Sequence, residues 1–131
     1  MESPAVLLID GDPDSITIYS TLLEHHGYRV LRAMDGNDGV RQAAELRPHL
    51  IVLEPFTPCR CAGGGGILEA LLQDAVVASI PLIVLTAVPS FISASSSAIP
   101  ADRLFTKPMQ PHRLLKVIEH LLNQANLSTS L

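Results

Sequence analysis

Asp10, Glu54, Thr86 and Lys107 each follow a short, mostly apolar run: Val6-Leu7-Leu8-Ile9, Leu50-Ile51-Val52-Leu53, Pro81-Leu82-Ile83-Val84-Leu85 and Arg103-Leu104-Phe105-Thr106. Short apolar runs bounded by polar residues read as strands buried on both faces. If these are parallel strands of one sheet, their carboxyl ends lie side by side. Open α/β sheets bind ligands in the crevice outside those ends. Two acids, a hydroxyl and an ammonium then share one shallow pocket.

The segments between the runs read as helices. Asp12 can cap a helix whose first residue is Pro13, because proline's missing N–H is not needed there. Ile16, Tyr19, Leu22 and Leu23 follow at helical spacing, and Gly27 supplies the stop. Arg29–Ala33 is a second strand. A helix over Gly36–Leu46 carries Val40, Ala43, Ala44 and Leu46, and Pro48 ends it. The pattern predicts a third helix over Ile67–Val77 and a fifth over Pro111–Asn123, with Leu114, Leu115, Ile118, Leu121 and Leu122 inward. A frayed tail is expected from Gln124 to Leu131. Between Thr86 and Lys107 the serine-rich stretch Ser90–Ala98 predicts a short, mobile fourth helix, since serine competes with helical backbone bonding.

Five such βα units imply a doubly wound, five-stranded parallel sheet covered on both faces. Right-handed crossovers favour strand order 2-1-3-4-5, which makes Asp10 and Glu54 neighbours across the crevice. Residues 1–131 form one domain in this reading, with a core of about 5–123. The net charge of −4 argues against a surface that neutralises nucleic-acid phosphates. The first residues, Met1-Glu2-Ser3-Pro4, lack a signal-peptide pattern, and no apolar stretch is long enough to span a bilayer. The expected setting is cytoplasmic, with no membrane contact. Cys59 and Cys61 form an isolated Cys-Arg-Cys without the further ligands of a zinc site, and are expected to be reduced surface residues. The run Gly63–Gly66 lacks the Gly-Lys-Ser/Thr ending of a phosphate loop and reads as a flexible connection.

Four blocks in order now carry a resemblance: Val6-Leu7-Leu8-Ile9-Asp10-Gly11-Asp12-Pro13, Leu50-Ile51-Val52-Leu53-Glu54 with Pro58 beyond it, Leu85-Thr86-Ala87, and Thr106-Lys107-Pro108. Together they resemble the response-regulator receiver domain, the CheY-like branch of flavodoxin-like folds, over roughly residues 5–123. The resemblance implies that position 54 is the phosphoacceptor, that an acidic pair after the first strand binds Mg²⁺, and that Thr86, Ala87 and Lys107 form the switch and phosphate pocket. Phosphoryl transfer to a carboxylate needs a metal and a cation to neutralise the crowded charge.

Four departures touch different requirements of that chemistry. Glu54 replaces the acceptor aspartate, which moves the carboxylate out by ~1.5 Å, where such an error costs about 10²-fold. Gly11 replaces the second acid, leaving Asp10 as the residual metal candidate and Asp12 as a helix cap in the acidic pocket. Pro55 has no N–H to offer a phosphoryl oxygen. Leu104 stands where the family commonly has a switching Tyr or Phe. The resemblance is therefore to a degenerate, pseudo-receiver variant.

The leading expectation is a stand-alone receiver-like module of two-component phosphorelay signalling, not an enzyme, acting through protein contacts without normal aspartyl phosphorylation. Glu54 is expected to reach Lys107 as a partial phosphate mimic with one negative charge against ~1.5–2. No cofactor is expected, although a weak Mg²⁺ interaction stays open. A histidine kinase is a candidate partner, and the face formed by the fourth helix, fifth strand and fifth helix is a candidate homodimer surface. The alternatives are a phosphorylatable, Mg²⁺-dependent receiver and, more remotely, a flavodoxin-like ligand binder.

Overall fold

The structure, a computed structural model, describes residues 3–60, 66–90, 99–100 and 103–130, with side chains through 125. Five parallel strands, β1 (Ala5–Ile9), β2 (Arg29–Ala33), β3 (Leu50–Leu53), β4 (Leu82–Thr86) and β5 (Leu104–Thr106), form one sheet in the order β2-β1-β3-β4-β5. The order expected from the sequence is the order found. Val6 pairs with Leu50 and Ile9 with Leu53, so β1 and β3 end level with each other.

Alternation along the strands divides the apolar residues between two layers. Val6, Leu8, Leu50, Val52, Ile83 and Leu85 pack under α1 (Pro13–His25) and the last helix, α5 (Pro111–Ser130). Leu7, Ile9, Ile51 and Leu53 face α2 (Gly36–Leu46), α3 (Gly66–Leu72) and α4 (Ala75–Ala78). All five residues of β1 are buried, as a strand covered on both faces requires. Among the described residues no helix is long and apolar enough to cross a membrane.

Helix starts follow the capping chemistry read from the sequence. Asp12 accepts from the Asp14 N–H with Pro13 at the first position, and Asp35 caps α2 through the Asp38 N–H. Gly27 adopts φ +89°, a left-handed conformation that a side chain would disfavour, just beyond the end of α1.

Two expectations change. The single helix anticipated over Ile67–Val77 is divided into α3 and α4, because the Asp74 carboxylate accepts from the Val76 and Val77 N–H groups and starts a new helix. The tail expected to fray from Gln124 is helical through Ser130: no Gly or Pro interrupts it, and the apolar stripe anchors the preceding turns. The serine-rich helix expected before β5 falls mostly on residues 91–98, outside the described residues, as do Gly63–Gly65 and Cys61.

β2 is an edge strand, so its alternate carbonyls point away from β1. Two of them are covered: Gln42 donates to the Arg32 carbonyl at 2.7 Å, and the Arg32 guanidinium reaches the Val30 carbonyl at 3.4 Å.

Candidate functional site

Backbone bonding continues one step past the strands and fixes the residues that line the crevice. The Asp10 N–H donates to the Ala33 carbonyl at 3.0 Å, the Glu54 N–H to Ile9 at 2.8 Å, and the Lys107 N–H to Thr86 at 2.8 Å. The Lys107–Pro108 peptide is cis. The resulting crevice, about 330 Å³, is lined by Asp10, Gly11, Asp12, Glu54, Phe56, Thr57, Pro58, Ala87 and Lys107. Asp10, Asp12, Glu54, Ala87 and Lys107 are thus brought together. Thr86 is fully buried beneath them and meets the site through its hydroxyl.

Glu54 is 8% exposed, and both its oxygens have partners. One accepts from the Thr86 hydroxyl at 3.1 Å and, at a longer 3.4 Å, from the Phe56 N–H. The other accepts from the Ala87 N–H at 3.1 Å. The Thr86 hydroxyl in turn accepts from the Val88 N–H at 3.0 Å. A chain of donors from the end of β4 therefore converges on the Glu54 carboxylate.

The ion pair expected between Glu54 and Lys107 is not formed. Lys107 Nζ lies 2.6 Å from Asp10 Oδ2 instead, with side chains 15% and 12% exposed. The physical reason lies in what each acid already has. Glu54 is satisfied by neutral donors at the end of β4, whereas the other Asp10 oxygen accepts, among the described residues, one N–H, that of Asp12, at 2.9 Å. A buried carboxylate without enough donors is the costlier one to leave unpaired, so it takes the ammonium.

Asp12 points along the start of α1, accepting from the Asp14 N–H at 3.0 Å and the Ser15 hydroxyl at 3.2 Å. The residues present do not fit a Mg²⁺ site. Mg²⁺ requires near-octahedral oxygen donors. Gly11 offers no carboxylate, Asp12 is turned to its cap, and the oxygens of Asp10 and Glu54 are engaged. Among the described residues no group of three or more His, Cys, Asp or Glu is placed to hold a metal.

Leu104, for which the sequence led us to expect a switch position, is buried against Val84 and Ile99. Phe105 beside it carries the Arg113 guanidinium 5.5 Å above its ring. Thr57 joins the site without having been singled out from the sequence. Its buried hydroxyl accepts the Gly11 N–H at 3.2 Å, tying the β3 loop to the β1 loop. A threonine between Phe56 and Pro58 carries no spacing signal that separates it from an ordinary loop residue. Tyr19 is a second such residue: its hydroxyl donates to the Met109 carbonyl at 2.8 Å, two residues past Lys107. Burial pushes the Tyr19 phenol above its ordinary pKa. Cys59 is disulfide-bonded, which corrects the expectation of a reduced thiol.

Comparison with known proteins agrees with this architecture. The family described as "Response regulator receiver domain" matches residues 6–119, and the chain belongs to that family. It is 33% identical over 126 residues to the DNA-binding dual master transcriptional regulator RpaA of Synechocystis sp., covering 94% of this chain and 51% of that protein. It is 29% identical over 118 residues to Protein PilH of Pseudomonas aeruginosa, covering 89% and 96% respectively. The chain thus spans about half the length of RpaA and nearly all of PilH. The fold is also that of a CheY-like response regulator receiver domain protein from Methanospirillum hungatei, with TM-score 0.83 at 22% identity and coverage of 97% and 99%.

Proposed function

We propose that this receiver domain signals through protein contacts, with its switch set by Glu54 in place of an aspartyl phosphoryl group. The observation that carries the reading is the Glu54 carboxylate bonded to both the Thr86 hydroxyl and the Ala87 N–H. Those two donors are the ones that the family resemblance assigns to the phosphate pocket. With Thr86 drawn onto Glu54 and Leu104 buried, the end of β4 and the neighbouring strand adopt one arrangement without added charge. Pro55 and Gly11 support the same reading, since neither supplies the donor or ligand that phosphorylation requires.

On this reading the domain performs no turnover. Its partner is another signalling protein in the cytoplasm, a histidine kinase or a second copy using β5, α5 and the segment before β5. The DNA binding named for RpaA belongs to that longer protein and is not carried over. The competing reading, a phosphorylatable receiver, is favoured by the retained Asp10, Thr86 and Lys107.

An amide NMR titration with millimolar Mg²⁺ and then beryllofluoride, a stable stand-in for a phosphoryl group, separates the two. The expected result is no shift at Asp10, Glu54, Thr86 or Lys107. Shifts centred there and spreading along β5 would establish the phosphorylatable reading instead.

A further inference from the structure

A cavity of about 570 Å³ straddles the outer edge of β2 and shares no lining residue with the crevice. Glu24, near the end of α1, bounds it on one side with Tyr28 and Val30. Arg29, Leu31 and Leu46, the last residue of α2, bound it on the other. The two sides follow from the strand's alternation: Val30 joins the apolar layer under α1, and Leu31 the layer under α2. The volume lies within the ~300–1,000 Å³ usual for small-ligand sites. Leu46 is 51% exposed, an apolar wall that the fold itself leaves uncovered.

The polar groups at this edge are unevenly matched. Its acceptors are taken: the Arg32 guanidinium pairs with the Glu24 carboxylate and reaches the Val30 carbonyl at 3.4 Å, while Gln42 covers the Arg32 carbonyl. Donors remain. Arg29 turns its N–H inward to the Pro4 carbonyl, so the next residue, Val30, directs its own N–H away from the sheet. Among the described residues the Arg29 guanidinium has neither an ion-pair nor a hydrogen-bond partner. An apolar floor with only donors left over selects an anion that carries an apolar body. One guanidinium matches one carboxylate, which it can grip with two parallel bonds. A peptide strand is a poor match, since it needs the covered carbonyls as well.

We propose that this cavity binds a small amphipathic carboxylate, its head on Arg29 and the Val30 N–H and its chain against Tyr28, Leu31 and Leu46. Covering Leu46 supplies the apolar contribution, and Arg29 supplies the choice of an anionic head. Glu24 does not repel that head, because Arg32 neutralises it. The site does not depend on whether Glu54 replaces phosphorylation.

The test is an amide NMR titration of the native chain with octanoate, alongside octanol, acetate and a short peptide ending in a leucine carboxylate. Octanoate should give saturable shifts at Arg29, Val30, Leu31 and Leu46, and the peptide should not compete with it. Octanol lacks the charge and acetate lacks the chain. Each should bind at least ~10-fold more weakly, the scale of one charge-assisted hydrogen bond or a few buried methylenes. Arg29→Gln should weaken octanoate by the same factor and leave octanol unchanged, whereas Leu46→Ser should weaken both. Both positions are exposed, so neither variant threatens the fold. No saturation at millimolar octanoate, equal affinity for octanol, or indifference to Arg29→Gln would each overturn the proposal. Binding of the peptide in place of octanoate would overturn it too, by making a chain terminus the ligand.

Discussion

Glu54→Gln removes charge from the centre of the site while keeping its shape. In the parent, two bonds at 3.1 Å run from the Thr86 hydroxyl and the Ala87 N–H to an ionised carboxylate. Such charge-assisted bonds contribute ~1.5–3 kcal/mol each, against ~0.5–1.5 for neutral ones. The amide introduced by Glu54→Gln can keep one acceptor, which belongs opposite the donor-only Ala87 N–H. Its NH₂ then faces the Thr86 oxygen, which already accepts from Val88, and the Thr86 proton loses its acceptor. The net loss is about 2 kcal/mol, a factor of roughly 30 in any equilibrium that the contact governs. For a domain of this size, melting should fall by roughly 6 °C. The Ala87 and Val88 amides should shift in Glu54→Gln and further in Glu54→Ala, and partner binding should weaken in the same order. Unchanged Ala87 and Val88 resonances with an unchanged melting point in both variants would refute the reasoning.

Lys107→Ala should cost about 2–3 kcal/mol, below the ~3–5 of a fully buried pair, because Asp10 keeps one N–H donor and some solvent. A double-mutant cycle with Asp10→Asn should show most of that loss as coupling between the two residues. Tyr19→Phe should cost about 1–2 kcal/mol in denaturant unfolding, as the buried Met109 carbonyl loses its donor. The Tyr19 pKa is raised by burial, so its contribution is fully present below the unfolded value of about 10 and is lost as pH rises through the folded value. The alkaline decline in stability should therefore be shallower in Tyr19→Phe, with Tyr28, also raised by burial, accounting for part of what remains. Gly39→Ala should destabilise despite alanine's better helix propensity. The new Cβ would lie 2.8 Å from two side-chain carbons of the buried Ile9, and overpacking costs ~1–3 kcal/mol. A rise in melting temperature would contradict that account.

Strands buried on both faces leave a strong trace in sequence, because their whole length must be apolar. That is why β1 and β3 and the crevice at their ends were legible in the residues alone. Asp12 and Gly27 were legible for a similar reason, since local backbone chemistry dictates their residue types. The division at Asp74 was not. A carboxylate within an apolar pattern reads equally as a solvent-facing helix position or as a new cap, and only the path of the backbone decides. The partner of Lys107 was hidden for another reason. Choosing between two acids depends on what other donors each has found, and the Ala87 N–H and Thr86 hydroxyl that satisfy Glu54 come from a strand more than thirty residues away. Thr57 was hidden likewise, since its partner Gly11 is met only through the fold.

The covered carbonyls of β2 have a consequence for crowded solutions. An open sheet edge is a template on which a second chain can lay down a strand, and such pairing seeds swapped dimers and fibrils. Here Gln42 and Arg32 occupy acceptors that an incoming strand would need. At the opposite edge, β5 is three residues long, too short to hold a foreign strand in register. Raising the concentration of this protein should therefore favour contacts between side chains, leaving the backbone edges of the sheet closed to an added strand.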